Sequence, residues 1–269
     1  MLKNAIFPEK PEEEELKKRL EEAREKLASQ QTKIKEHKIP ILVLVEGWGT
    51  AGKGSVIGEV IQNIDPRFFK VATFDKPTEE ETRKPFLYRY FTKIPEAGKF
   101  MFFDSGWRDE VTKAELHNKL SGKEYEQRID SIRRFERQLT DNGYVVLKFF
   151  CHISKKEQKK RIEALEEDVD TRWRVSDNDK WQNKHYDKCL EAFGKYMEAT
   201  NAPSAPWYII ESKSKKWAEL QVLETITQGI EVALQNQSLA VPLLQNPFPL
   251  AKMPKLSEIP LDKMADEDT

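Results

Sequence analysis

The sequence has only two cysteines, Cys151 and Cys189, in 269 residues. That is too few for a disulfide framework or a four-ligand zinc site, so a reduced, cytoplasmic setting is expected. Its four histidines, His37, His117, His152 and His185, lie apart without metal-ligand spacing and receive no chemical role. Apolar runs are short. Ile41 to Val45 and Phe100 to Phe103 are among the longest, far below the roughly 20 residues that cross a bilayer. The start, Met1-Leu-Lys-Asn-Ala-Ile-Phe-Pro, leads into an acidic run without an apolar core or a small-residue cleavage site, so no secretory signal is read. An excess of one charge is also missing: 45 Lys and Arg face 46 Asp and Glu, for a net charge of −1. Globally, nothing draws this chain to nucleic acid or a membrane surface.

The length suits one large α/β domain or two small ones and is ample for a continuous core. Between Glu9 and Lys26 stand eight Glu and six Lys or Arg, with Leu16, Leu20, Ala23 and Leu27 at helical spacing. This describes a solvated helix with a narrow apolar stripe, read as an N-terminal polar arm over residues 1–38 that serves packing or dimer contact. Ile41-Leu-Val-Leu-Val is a continuous β-rich run, as for a strand buried on both faces of a parallel sheet. Similar strands are expected at Phe68 to Phe74, Lys99 to Asp104, Tyr144 to Phe150 and Trp207 to Glu211, separated by helical crossovers. Ser154-Lys-Lys-Glu157 and Ser176-Asp-Asn-Asp179 read as helix-opening capping boxes. The central domain is placed at 39–235, with a helical lid at about 155–200. After it, Pro242, Pro247, Pro249, Pro254 and Pro260 punctuate a stretch read as an arm or linker, 236–269.

The sharpest signal is Gly47-Trp-Gly49-Thr50-Ala51-Gly52-Lys53-Gly54-Ser55, between the first strand and the helix that follows. Backbone N–H groups of such a loop surround an anion while the Lys meets terminal phosphates. The pattern G-x-x-x-x-G-K is met, although Gly54 occupies the usual Ser/Thr position for magnesium and Ser55 comes one step later. The third strand ends in Asp104, where such proteins place the acidic group that positions magnesium. Arg172-Trp-Arg174, after an acidic segment and among helix starts and stops, suits a lid that brings Arg to a transferring phosphoryl group. Between Arg128 and Arg161 lie ten Lys or Arg against four Asp or Glu. Arg133, Arg134 and Arg137 form one cluster and Lys155 to Arg161 another, a possible track for a long polyanion. Each feature has a plainer reading: a turn that binds nothing, a turn-forming Asp, a solvated helix face, a surface hairpin.

These residues resemble the polyphosphate kinase 2 family over about Ile41 to Ile230. The resemblance rests on Glu46-Gly-Trp-Gly-Thr-Ala-Gly-Lys-Gly54, Pro77-Thr-Glu-Glu-Glu81, Arg89-Tyr90, Phe103-Asp104, Trp107, Phe135-Glu-Arg137, Lys148-Phe-Phe150, His152-Ile-Ser154, Glu157-Gln158, Arg161, Trp173-Arg174 and Ala205-Pro-Trp207. It implies a P-loop kinase-like three-layer α/β/α sandwich, with a five-stranded parallel sheet and a helical lid. The implied activity is in-line phosphoryl transfer between inorganic polyphosphate and a nucleotide, most simply polyphosphate plus AMP to ADP or ADP to ATP, with Mg2+. Gly47 to Ser55 would hold phosphates, Asp104 magnesium, and Asp75, Lys76, Pro77, Thr78 and Glu81 the nucleotide. Lys53, Asp104, Arg133 and Arg172 would carry the transfer, with Arg137, Arg161 and Arg174 neutralising polyphosphate. Partners would be polyphosphate, AMP or ADP and further copies of the chain in a dimer or tetramer, without nucleic acid or membrane.

Two departures stand out. Family members commonly have Asp where this chain has Gly49, and Asp-Arg-Ser-Trp where it reads Asp104-Ser-Gly-Trp107-Arg108. Arg108 is the candidate to replace the missing Arg at the phosphates; no replacement for the carboxylate is evident. These spellings are most similar to tandem polyphosphate:AMP phosphotransferases, which carry two such domains, and Pro254 to Lys263 resembles a lead into a second one. A weakened polyphosphate-binding or dimer-building domain, and an ATP-dependent small-molecule kinase, stay open beside the main reading.

Overall fold

The computed structural model describes residues 2, 5, 7–74 and 76–239, with side chains to residue 236. Asp75 and the Pro-punctuated stretch, with its expected linker, lie outside the described residues. Met1–Leu234 forms one compact unit, and Gln235–Thr269 a second of which only the end of the last helix is described.

The core is a five-stranded parallel sheet in the order β2-β3-β1-β4-β5, formed by β1 (Ile41–Gly47), β2 (Phe69–Thr73), β3 (Phe100–Asp104), β4 (Val145–His152) and β5 (Trp207–Glu211). Every residue of β1 is buried, which its unbroken apolar run requires of a central strand. The edge strand β2 buries none of its residues fully. Parallel neighbours need crossovers, and helices supply them: α2 (Lys53–Ile61) after β1; α3 (Glu79–Thr82) and α4 (Tyr88–Phe91) after β2; α5 (Trp107–Leu116) and α6 (Gly122–Asp141) after β3. After β4 come α7 (Lys155–Glu167), a 3-10 turn (Arg172–Arg174), α8 (Asp177–Lys184) and α9 (Tyr186–Thr200), and after β5 comes α10 (Lys215–Leu239). The β1 crossover leads toward β2, and the β4 crossover leads the opposite way, to β5. The carboxyl end of β1 therefore opens at the switch point where such sheets bind ligands.

The structure adds detail to two of the expected segments. The polar helix α1 (Glu13–Glu36) packs through the stripe read from its sequence. It buries Leu16, Leu20, Ala23, Leu27, Gln30 and Ile34 and is fastened to α10 by Arg19 to Glu224 at 2.9 Å, Lys26 to Glu231 at 2.9 Å and the amide of Gln30 donating to Thr227 O at 3.0 Å. Charge on its solvated side concealed how complete its apolar stripe is. The segment expected as a lid, about 155–200, holds α7, the 3-10 turn, α8 and α9, and its last helix is part of the core. That helix, α9, buries Cys189, Phe193, Tyr196 and Met197 and packs on α5, as a core helix does. Both thiols are buried, and that burial pushes Cys151 up and Cys189 up to about 11.

A buried ion pair joins β4 to α6. Lys148 of β4 donates to Glu136 of α6 at 2.6 Å and to Thr200 O at 2.8 Å, while Trp107 Nε1 donates to the other Glu136 oxygen at 3.2 Å. Burial pushes Glu136 up and Lys148 down, and each partner opposes the other's shift. Lys148 thus leaves the basic track read from the sequence, because it lies inside the core.

Candidate active site

The loop between β1 and α2 owes its shape to glycine at two points. Gly47 has φ 146°, and a Cβ there would run into Cys151 O and sit 2.9 Å from Cys151 Cβ. Gly52, the residue before α2, has φ 90°, and Thr50 between them has φ 62°. Trp48, Gly49 and Ala51 spend their N–H groups within the protein, on Cys151 O, Gln182 Oε1 and Trp48 O, so the concavity open to an anion lies at the start of α2, where the first helical N–H groups point outward. Trp48 anchors the loop from below. It is fully buried, stacked on Tyr186 at 4.1 Å, and donates from Nε1 to His152 Nδ1 at 3.2 Å; burial lowers the His152 pKa, which keeps that nitrogen an acceptor. Lys53 is half-buried and donates from Nζ across the loop to Trp48 O at 3.1 Å.

The loop forms one wall of a cavity of about 870 Å³. Asp104 and Ser105 line it from the end of β3, Arg161 and Leu165 from α7, Trp173 and Arg174 from the 3-10 turn, and Lys213 and Lys215 from the β5–α10 connection. Five cationic side chains and one carboxylate face this space, a local segregation that the whole-chain balance hides. Lys213 and Lys215 escaped the sequence reading. Ser212-Lys-Ser-Lys-Lys216 follows the last strand, and the strand-end rule that singled out Asp104 applies there equally.

Arg161 is a tie across the site. Its Nη1 donates to Thr50 O at 3.2 Å, its Nη2 to Ser212 O at 2.6 Å and Lys213 O at 3.1 Å, and its Nε to Glu157 at 2.8 Å. One guanidinium thus joins the phosphate loop, the lid and the β5–α10 turn. Trp173 is 75% exposed with Arg174 over its ring at 5.3 Å, and Arg172 is exposed on the same 3-10 turn but does not line the cavity.

Three groups of residues assigned from the sequence stand outside this cavity. Arg108 cannot meet phosphate. It is fully buried, donates to Glu46 at 2.9 and 3.0 Å and lies over Phe193 at 4.7 Å, so it neutralises a carboxylate beneath the loop. Burial pushes Glu46 up, and Arg108 pulls against that shift. Arg133 and Arg137 are not brought to the loop either. A crossover helix runs antiparallel to the strands, from the carboxyl edge back to the amino edge. At about 1.5 Å per residue, Arg137, fifteen positions along α6, stands roughly 22 Å from the helix start. Arg133 lines a separate cavity beside the α5–α6 turn, and Arg137 is 81% exposed beside Asp141. Lys76, Pro77, Thr78 and Glu81 lie after β2, two strands from β1, outside the cavity. There Thr78 and Glu81 close a reciprocal cap on α3, with Glu81 N donating to Thr78 Oγ1 at 3.1 Å and Thr78 N to Glu81 at 3.0 Å.

The residues fit magnesium. A Cβ on Gly54 would sit 3.5 Å from Asp104 Oδ2, so the first residue after Lys53 and the β3 carboxylate face the same small space. Magnesium takes oxygen ligands from one or two carboxylates together with substrate phosphates, and Asp104 beside a phosphate loop offers that donor set.

A family model described as polyphosphate kinase 2 matches residues 10–238. The polyphosphate:AMP phosphotransferase of Pseudomonas aeruginosa is 31% identical over 220 residues, 81% of this chain and 44% of the relative. The AMP/ADP-polyphosphate phosphotransferase of Meiothermus ruber is 29% identical over 218 residues, 80% and 79% of the two chains. Among solved structures, a polyphosphate kinase 2 from Pseudomonas aeruginosa matches with TM-score 0.82 and 27% identity over 87% of this chain and 50% of its own. One from Arthrobacter aurescens matches with TM-score 0.76 and 28% identity over 86% and 82%. The chain spans less than half the length of its Pseudomonas phosphotransferase relative. With the loop, the β3 carboxylate and the parallel sheet in the order already described, the chain belongs to the polyphosphate kinase 2 family.

Proposed function

We propose that this protein transfers a phosphoryl group between inorganic polyphosphate and a nucleotide, with AMP or ADP as acceptor and magnesium as cofactor, in the cytoplasm. The observation that carries the reading is the cavity in which Lys53, Arg161, Arg174, Lys213 and Lys215 surround a phosphate loop with Asp104 alone opposing them. Phosphoryl transfer asks for alignment and charge compensation rather than covalent chemistry by the protein. The N–H groups at the start of α2 and Lys53 hold the phosphate chain. Arg161 holds loop and lid at a fixed spacing, and Arg174 brings positive charge on a turn able to move with the lid. Magnesium, held by Asp104, would offset charge on the reacting phosphates.

The purified chain should convert AMP plus polyphosphate to ADP at saturating magnesium, and Lys53→Ala should lower turnover by about 10²–10³, as for loss of one preorganised charge. Unchanged turnover in that variant would refute the placement of the site. A second reading, a phosphate-binding domain with weak turnover, is favoured by the burial of Arg108, which leaves Ser105 in the place of the Arg that the resemblance implies. Polyphosphate binding without ADP formation would select it. Self-association belongs to the same proposal, supported by exposed Val71 on edge strand β2 and exposed Tyr88 and Phe91 on α4; sedimentation as a monomer would exclude it.

A further inference from the structure

The phosphate loop carries no acidic side chain, yet a carboxylate rests on it. Asp179 belongs to the first turn of α8, in the lid, and a Cβ added to Gly49 would fall inside the contact distance of Asp179 Oδ1, 2.5 Å from its Cγ and 3.0 Å from its Cβ. Space at this point of the loop is thus filled from the lid, and only glycine at position 49 admits it. The approach is built. Gly49 N donates to Gln182 Oε1 at 3.0 Å, Gln158 Nε2 donates to Gly49 O at 3.2 Å, and Asn183 Nδ2 donates to Gln158 Oε1 at 3.1 Å. Gln158 and Gln182 are both buried, so α7 and α8 grip the Gly49 peptide from two sides.

The two oxygens of Asp179 differ. Oδ2 accepts from Ser176 N and Ser176 Oγ, both at 2.8 Å, and so closes the cap that fixes the start of α8. Oδ1, the oxygen against the loop, accepts no hydrogen bond among the described residues. One oxygen of a carboxylate set against the loop is thus left open to a cation. Asp179 and Gly49 stand at the rim rather than among the lining of the loop's cavity, which begins at the next residue, Thr50.

We propose that Asp179 is the acidic group of this phosphate loop, delivered by the lid across Gly49, and that its free oxygen helps hold magnesium on the bound phosphate chain. The inference rests on the polyphosphate reading. It makes positions 49 and 179 reciprocal: one carboxylate fits, and it can be attached to either residue but not to both.

The test follows thermal unfolding of the full chain with tripolyphosphate, with and without magnesium. Asp179→Asn keeps the shape and the cap but removes the charge. It should raise the magnesium needed for half the stabilisation by about tenfold or more, as loss of a metal-orienting group does, and leave the magnesium-free midpoint unchanged. Gly49→Asp alone should lower the midpoint, because its side chain meets Asp179. Gly49→Asp combined with Asp179→Ala should regain the parent's magnesium requirement to within a few-fold. A parent with no magnesium-dependent stabilisation overturns the polyphosphate reading and this inference together. If the parent responds and Asp179→Asn titrates identically, or Gly49→Asp is as harmful with Ala at 179 as with Asp, this inference alone fails.

Discussion

Asp104 Oδ2 stands 3.5 Å from where a Cβ on Gly54 would be, an ordinary contact at a residue whose backbone any amino acid can adopt. Gly54→Ser should therefore fold with an unfolding midpoint equal to or above the parent's, since serine is also favoured over glycine in a helix. Its hydroxyl would add an oxygen beside Asp104, so the magnesium requirement of turnover should fall. A lowered midpoint or a higher magnesium requirement would show that this space is not shared.

Arg161→Lys should behave almost like Arg161→Ala. A lysine is a point charge and cannot reach Thr50 O, Ser212 O and Lys213 O together. Both variants should lose about tenfold or more in kcat/KM, because a misplaced loop costs more than a missing charge. Full activity in the lysine variant would make Arg161 an ordinary electrostatic contact.

Arg108→Met should destabilise the fold by about 3–5 kcal/mol in urea titration, because it leaves Glu46 buried without its partner. Adding Glu46→Gln should recover most of that loss. A phosphate ligand would behave otherwise, with an altered KM and unchanged stability.

Lys213→Ala with Lys215→Ala should raise the KM for polyphosphate and weaken its dependence on salt, since both residues line the loop's cavity. Arg133→Ala with Arg137→Ala should leave that KM within about twofold, as surface changes far from a site do. The opposite ranking would return the polyanion track to α6.

Much of this was legible in the sequence because the signals were local. The β1 run, the glycines and Lys53 of the loop, Asp104 closing β3 and the cap at Ser176 are each read within a few residues, and each stands where expected. What failed depended on direction or depth. Arg133 and Arg137 share a basic stretch with Arg161, but α6 carries them away from the carboxyl edge while α7 starts at it. Arg108 follows Asp104 by four residues, yet one helical turn of α5 points it inward to Glu46. Asp179 was read as a cap residue, and no local pattern shows that its second oxygen lies over Gly49, 130 positions earlier.

The pairing of α1 with α10 also bears on how the chain is made. Arg19 waits for Glu224 and Arg24 for Glu219, partners 205 and 195 residues downstream. At a synthesis rate of about 5–20 residues per second, α1 emerges roughly 10–40 s before the helix that covers it. Through that interval the side of α1 that α10 covers lies open, although Gln31 can already meet Asn63 and Asp65, and its dense Glu and Lys face keeps the nascent segment in water. The dense charge of α1 thus suits a helix that is synthesised well before the helix that covers it.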